Sequence, residues 1–271
     1  MDLQSNVEVV VAHYNEDLSW LEGHTSDCTI YHKGGEKHAP PYPHLTLPNI
    51  GREGHTYLHH ITERYDSLAD VTVFLQGRID DHVTISLDEI IDRASKTKDG
   101  QVVTFPFREL ELFNLWNGMP WEEYPCWKKW SSMPVAEAPK TPAQYWQQLF
   151  PGTKVPASIG FQPGAMFAVR RSTIQQYPLN FYKSLFEEFF QGNMAHVNPG
   201  TGHYMERFWL AMWNPSEYIC WHDGDVSSER RNGQGQLAKG LWHVTPKFVE
   251  VDECTLPPMI TQLPTPPSEV A

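Results

Sequence analysis

Within residues 51–75 the chain switches from one hydrophobic period to another, and that switch limits the folds open to it. Leu58, Ile61, Tyr65 and Leu68 recur at spacings of three and four, which sets them on one side of a helix. The run VTVFL at 71–75 then reads as a short buried strand. A second apolar run at 7–12 opens the chain, and parallel strands need a crossover element between them. The pattern therefore predicts an α/β sandwich around a mostly parallel sheet. In such sheets ligands sit beyond the C-terminal ends of the strands, so the residues leaving VTVFL, QGRIDDH at 76–82, are the first place to look for chemistry.

The alternation continues along the chain. The strand at 7–12 is broken only by Glu8 and runs into Tyr14, Asn15 and Glu16, with a helical turn over 17–21. Residues 28–32 form a second strand ending in Lys33-Gly34-Gly35, where glycine permits a tight turn or a close backbone approach. Prolines between 37 and 48 mark an extended connection. Ser86, with Glu89 three residues on, predicts a helix over 86–93 opened by a capping box, and 101–107 predicts a strand. Residues 116–156 are rich in Trp and Pro without a sustained period and are expected as a lid or wrapping segment. Regular structure resumes over 159–170 around Pro163-Gly164. Helices follow over 180–190, with Phe181, Leu185, Phe186 and Phe189 inward, and over 202–213. We expect one α/β domain over 1–256 and an unstructured Pro-rich tail over 257–271.

Composition removes several classes. A formal net charge of -12 leaves no basic face for phosphates, so nucleic acid is not an expected partner. Cys28, Cys126, Cys220 and Cys254 stand far apart with no metal-binding pair. No leader and no run of membrane-spanning length is visible, and the expected location is the cytoplasm. No nucleophile elbow, phosphate loop or dinucleotide fingerprint occurs. The 10 Trp, 11 Tyr and 13 Phe supply wide rigid walls, which suit a bulky apolar small molecule. No protein partner is implied.

The candidate reactive groups lie where the helix starts and its following strand ends. Arg52, His55, Gln76 and His82 are the catalytic candidates, since guanidinium, imidazole and amide groups donate to negative charge developing on a carbonyl. Tyr14, Asn15, Glu16, Glu53, Tyr57 and Asp81, joined by Gln162, His203, Glu206 and Trp209 from the second half, are the candidates for holding the substrate. Plainer readings stand beside these: an Arg52–Glu53 pair that fixes the helix, an exposed strand exit at Asp80-Asp81-His82, and Trp209 in the core. His55 and His59 have the spacing of a zinc pair, yet no third ligand accompanies them.

Several ordered motifs also carry a family resemblance: YNE after the first strand, NIGREGHTYLHHI, YDSLADVTVFLQG, GAMFAVRRSTI, NFY and MERFW. Together, over residues 7–213, they resemble a fungal family catalogued as a domain of unknown function, family 3431, which in turn is similar to glycosyltransferases of the A-type nucleotide-sugar fold. That resemblance implies that Tyr14, Asn15 and Glu16 match the loop that holds a base and ribose. It also implies an Asp-x-Asp pair on a manganese or magnesium ion; here the carboxylates are adjacent, Asp80 and Asp81, and neighbours on an extended backbone point apart. More distantly, the chain resembles norbornene-forming Diels–Alder enzymes of fungal terpenoid pathways of the sordaricin type. Two activities are thus expected to compete: cofactor-free [4+2] cyclisation of an apolar, terpenoid substrate, and metal-dependent transfer from a nucleotide sugar. A protein that merely sequesters an apolar ligand is a third.

Overall fold

A computed structural model describes residues 6–106, 110–118 and 134–221. Its centre is a six-stranded sheet whose strands lie, in spatial order, at 45–46, 28–32, 7–13, 71–76, 167–170 and 102–104. The strands are β1 (Val7–His13), β2 (Cys28–His32), β3 (Leu45–Thr46), β4 (Val71–Gln76), β5 (Val102–Thr104) and β8 (Phe167–Arg170). β1 pairs in parallel with β2 and β4, and β2 with β3, whereas β8 runs against both β4 and β5. Only β8 is reversed, so the sheet is mostly parallel. A smaller antiparallel sheet joins β6 (Glu111–Phe113), β7 (Ser158–Phe161) and β9 (Ile219–Cys220).

Both faces of the large sheet are covered, which explains why β1 and β4 read as continuous apolar runs rather than alternating ones. Val10, Phe74 and Phe167 turn to one face, under α1 (Arg52–Arg64) and two later helices, α5 (Leu179–Glu187) and α6 (Gly200–Trp213). Val9, Val11, Val73 and Leu75 turn to the other, against Ile90 of α2 (Leu87–Ser95) and the turn carrying Leu18 and Leu21. Because α1 packs on the sheet and is flanked by α5 and α6, it is buried on nearly every side: His55, Thr56 and His60 are as hidden as Leu58 and Ile61, and Glu53 is buried with them. The one-sided pattern in the sequence understated that burial.

Several expectations need correction. The aromatic segment over 116–156 contains α3 (Pro142–Leu149), opened by a full capping box between Thr141 and Gln144 with Pro142 in the first turn, where proline is tolerated. Residues 119–133 of that segment, and the tail over 257–271, lie outside the described residues. The stretch 159–170 is two strands in different sheets, separated by the Pro163-Gly164 turn. In α5 the inward phase is Tyr182 and Leu185, followed by Phe189 just beyond the helix, while Phe181 and Phe186 are half-buried. Two further short helices are α4 (Arg171–Ile174) and α7 (Pro215–Tyr218). Among the described residues no helix is long and apolar enough to cross a membrane.

At the start of α2 only half of the expected capping box is present. The Ser86 hydroxyl accepts from the Glu89 N–H at 3.3 Å, and Glu89 turns instead to Arg93. Ser86→Ala is expected to cost about 1 kcal/mol in urea denaturation, the usual value of a lost N-cap, and Ser86→Asp to recover most of it.

Candidate functional site

The chain passes from β1 to β2 on one side and returns to β4 on the other, so the C-terminal ends of β1 and β4 diverge at a topological switch point, the usual ligand position in open α/β sheets. The loop after β1 is tied by its own carboxylate, Glu16 Oε2 accepting from the N–H groups of Tyr14 at 2.7 Å and Asn15 at 3.1 Å. It presses on the β4 exit so closely that a Cβ on Gly77 would stand 2.5 Å from Glu16 Oε2. Trp20 secures the same spot, its indole N–H donating to the Gly77 carbonyl at 3.0 Å.

The Pro163-Gly164 turn links this exit to α6. The Gln76 amide donates to the Gly164 carbonyl at 2.7 Å, and the Gly164 N–H donates to Glu206 Oε1 at 2.8 Å. The other Glu206 oxygen lies 3.2 Å from the Arg207 guanidinium, which stacks 4.8 Å above the Phe161 ring. The His82 ring closes over the turn, 3.2 Å from where a Cβ on Gly164 would be. Gly164 and Ala165 are both left-handed, with φ of 93° and 47°. Glycine is required at the first because it meets both the angle and the histidine.

The start of α1 is a second strained turn. Gly51 and Arg52 have φ of 68° and 50°, and the left-handed region is costly for arginine. Buried Lys33, just beyond β2, holds this turn by donating to the carbonyls of Ile50 at 2.8 Å and Arg52 at 2.5 Å. Burial pulls the Lys33 ammonium down to about 7, with Glu53 opposing. The Glu53 carboxyl, 3.6 Å from Arg52 Nε, is pushed above its ordinary range by burial; Arg52 draws it back and Glu206 pushes it further. One turn along α1, the fully buried Tyr57 hydroxyl has no acceptor among the described residues, and burial, Glu53 and Glu206 all hold it protonated. His203 Nε2 lies 2.9 Å from Asn198 Oδ1; the amide oxygen can only accept, so Nε2 carries the proton and donates it. Burial, Arg52 and Arg207 keep that imidazole neutral.

The candidates thus fall into three groups. Gln76, His82 and Glu206 meet around Gly164, while Arg52, Glu53, Tyr57 and His203 are linked electrostatically across the α1–α6 boundary. Glu16, with Tyr14 and Asn15, borders the first group through Gly77. His55 stands apart from all of these, packed against Phe186 at 4.9 Å, Phe190 at 5.6 Å and Phe189 at 6.0 Å. Neither of its ring nitrogens has a partner among the described residues, and burial, Lys33 and His59 lower it to about 3. Trp209 lies in the aromatic core, and Gln162 is buried at the head of the turn. Asp80 points to solvent beside Arg78, whereas Asp81 turns inward to His82 at 3.8 Å, where burial raises its carboxyl. The two do not fit a shared cation. Lys33 and the Gly164 turn were missed from the sequence because their bonds run to backbone atoms, although a lysine before two glycines at a strand end was a usable hint.

A family model described as a protein of unknown function, DUF3431, matches residues 9–228. The chain belongs to this family. The match embraces both strained turns, the β1 and β4 exits and all of α6. No curated protein and no solved structure matches.

Proposed function

We propose that this family member is a fungal small-molecule enzyme that folds a bulky apolar, terpenoid substrate for cofactor-free intramolecular [4+2] cyclisation. One observation carries the reading: a charged donor, Arg52, stands part-exposed on a strained turn at the start of α1, beside the buried Glu53 carboxyl and His203. Such a reaction exchanges three π bonds of one molecule for one π and two σ bonds, with no atom gained or lost. It needs the diene and alkene held in reach, and a hydrogen bond to a carbonyl that draws electrons from the alkene. Arg52 would supply that bond, with Gln76 and His82 at the opposite strand exit fixing the other end of the substrate. His55 keeps a packing part, its neutral ring shaping the phenylalanine cluster behind Arg52.

The runner-up is a metal-dependent glycosyltransferase, favoured by the Tyr14–Glu16 loop at the switch point and by the carboxylate of Glu206 facing the crevice turn. No step is assigned to a divalent ion, because Asp80 and Asp81 diverge. Calorimetry with uridine diphosphate and manganese separates the readings: no metal-dependent binding is expected, and tight binding would overturn the cyclase assignment. With a diene-bearing terpenoid enal as probe, Arg52→Ala is expected to slow cyclisation about 10- to 100-fold, the loss of one charge-assisted hydrogen bond. Binding without turnover in the wild-type protein would leave a sequestering role instead.

A further inference from the structure

His13 ends β1 and His32 ends β2, side by side in register and both nearly fully buried. Each ring uses Nε2 toward a carbonyl: His13 to Glu16 O at 3.1 Å, His32 to Gly35 O at 2.9 Å. A carbonyl oxygen only accepts, so both Nε2 atoms must carry hydrogen. The two Nδ1 atoms then face each other at 2.9 Å. In two neutral imidazoles of that tautomer both Nδ1 atoms would be bare lone pairs, which repel at hydrogen-bond distance. The geometry needs one proton more. The Gly34 N–H approaches His32 Nδ1 at 3.4 Å, which marks that nitrogen as an acceptor and leaves His13 Nδ1 as the donor.

We infer that His13 and His32 form a proton-gated clasp, an imidazolium donating to an imidazole, that fastens the loop at the β1 exit to the sheet. When the extra proton leaves, His13 keeps Nδ1–H for His32 and loses Nε2–H, so its tether to the Glu16 carbonyl is released while His32 keeps Gly35. The released segment, Tyr14 to Glu16, is the one lying against Gly77 at the switch point. Proton uptake therefore fastens the loop on the acid side, and rising pH frees it.

Charged and titratable groups stand around His13 and its partner. The Glu16 carboxylate stands 4.0 Å from His13 Nε2, and the His44 ring meets His32 edge-on at 5.3 Å. Lys33, the next residue after His32, turns its ammonium to the α1 carbonyls, and β4 brings the uncharged Gly77 beside His13. Burial lowers His13 from its ordinary value, the Glu16 carbonyl and carboxylate oppose this, and His32 and His44 reinforce it.

The clasp is independent of the proposed reaction and is tested without a substrate. In wild-type protein, long-range nitrogen–proton NMR between pH 4.5 and 8 should show both His13 ring nitrogens protonated at the acid end and His32 neutral with hydrogen on Nε2. The Asn15 and Glu16 amides should shift with the same midpoint. Two singly protonated rings throughout the folded range, or a His13 titration that leaves those amides unmoved, would overturn the inference. In His13→Gln the loop amides should lose their pH dependence, and its persistence would equally defeat the clasp. Should that variant fail to fold, the wild-type spectrum decides alone.

Discussion

Trp209→Ala is expected to remove about 3–5 kcal/mol of folding stability, the usual cost of deleting a fully buried indole, and to lower Tm by about 10 °C. The ring lies 5.1 Å from Trp213, 5.8 Å from Phe167 and 6.3 Å from Tyr57, so it ties α6 to β8 and α1 at once. Three elements cannot all move inward to fill the space. Its Nε1–H is buried without an acceptor among the described residues, a donor that contributes cost rather than stability. Trp209→Phe should therefore lose only about 1 kcal/mol, because it keeps most of the aromatic volume and discards the unmatched donor. Urea denaturation of both variants checks this. If Phe proved as damaging as Ala, the indole N–H would have to be bonded, and Trp209 would act through that bond and not through packing.

The same residue shows how much the sequence disclosed. Packing was its plainer reading there, and the structure puts it at the centre of the aromatic core. β1 and β4 were legible because strands buried on both faces need apolar residues at every position, a signal that no solvent-facing alternation dilutes. The reversal of β8 was not. Four residues, Phe167–Arg170, carry no direction of their own, and their orientation follows from the left-handed pair Gly164-Ala165, where alanine gives no compositional warning. α3 was hidden for a different reason: in a Trp- and Pro-rich stretch, Pro142 reads as a breaker, although in the first helical turn it loses no hydrogen bond.

The candidate site divides along the same line. That Arg52 and Glu53 stand at the start of a helix followed from spacing, but the strand end that holds their turn is that of β2, through Lys33, and not the β4 exit at Gln76. That His55, three residues on, faces away into phenylalanines depended on the angle at which α1 meets α5, which pattern does not encode. The bonds that unite Gln76 with Glu206 pass through the carbonyl and N–H of Gly164. Any residue type presents those two groups, so no side-chain motif can advertise them.

Lys33→Met puts that backbone-mediated architecture to its hardest test. At neutral pH the substitution is expected to cost about 2–3 kcal/mol, since it leaves the Ile50 and Arg52 carbonyls unpaired and removes the support of a turn in which arginine is left-handed. The cost should also change with pH, in a direction that the folded lysine sets. An unfolded lysine keeps its proton to about pH 10.4, whereas the buried ammonium releases it near about 7. Between those values the unfolded chain binds more protons than the folded one, so the wild-type protein gains stability as pH rises, by at most about 1.4 kcal/mol per unit. Release of the proton does not break the turn, because a neutral amine retains two hydrogens for the two carbonyls. Methionine has no such titration. The gap between wild type and Lys33→Met, measured by urea denaturation at pH 6, 7.5 and 9, should accordingly widen toward alkaline pH. A gap that stays constant would mean that Lys33 holds its proton throughout, and one that narrows would mean that the charge itself, rather than the pair of hydrogen bonds, secures the start of α1.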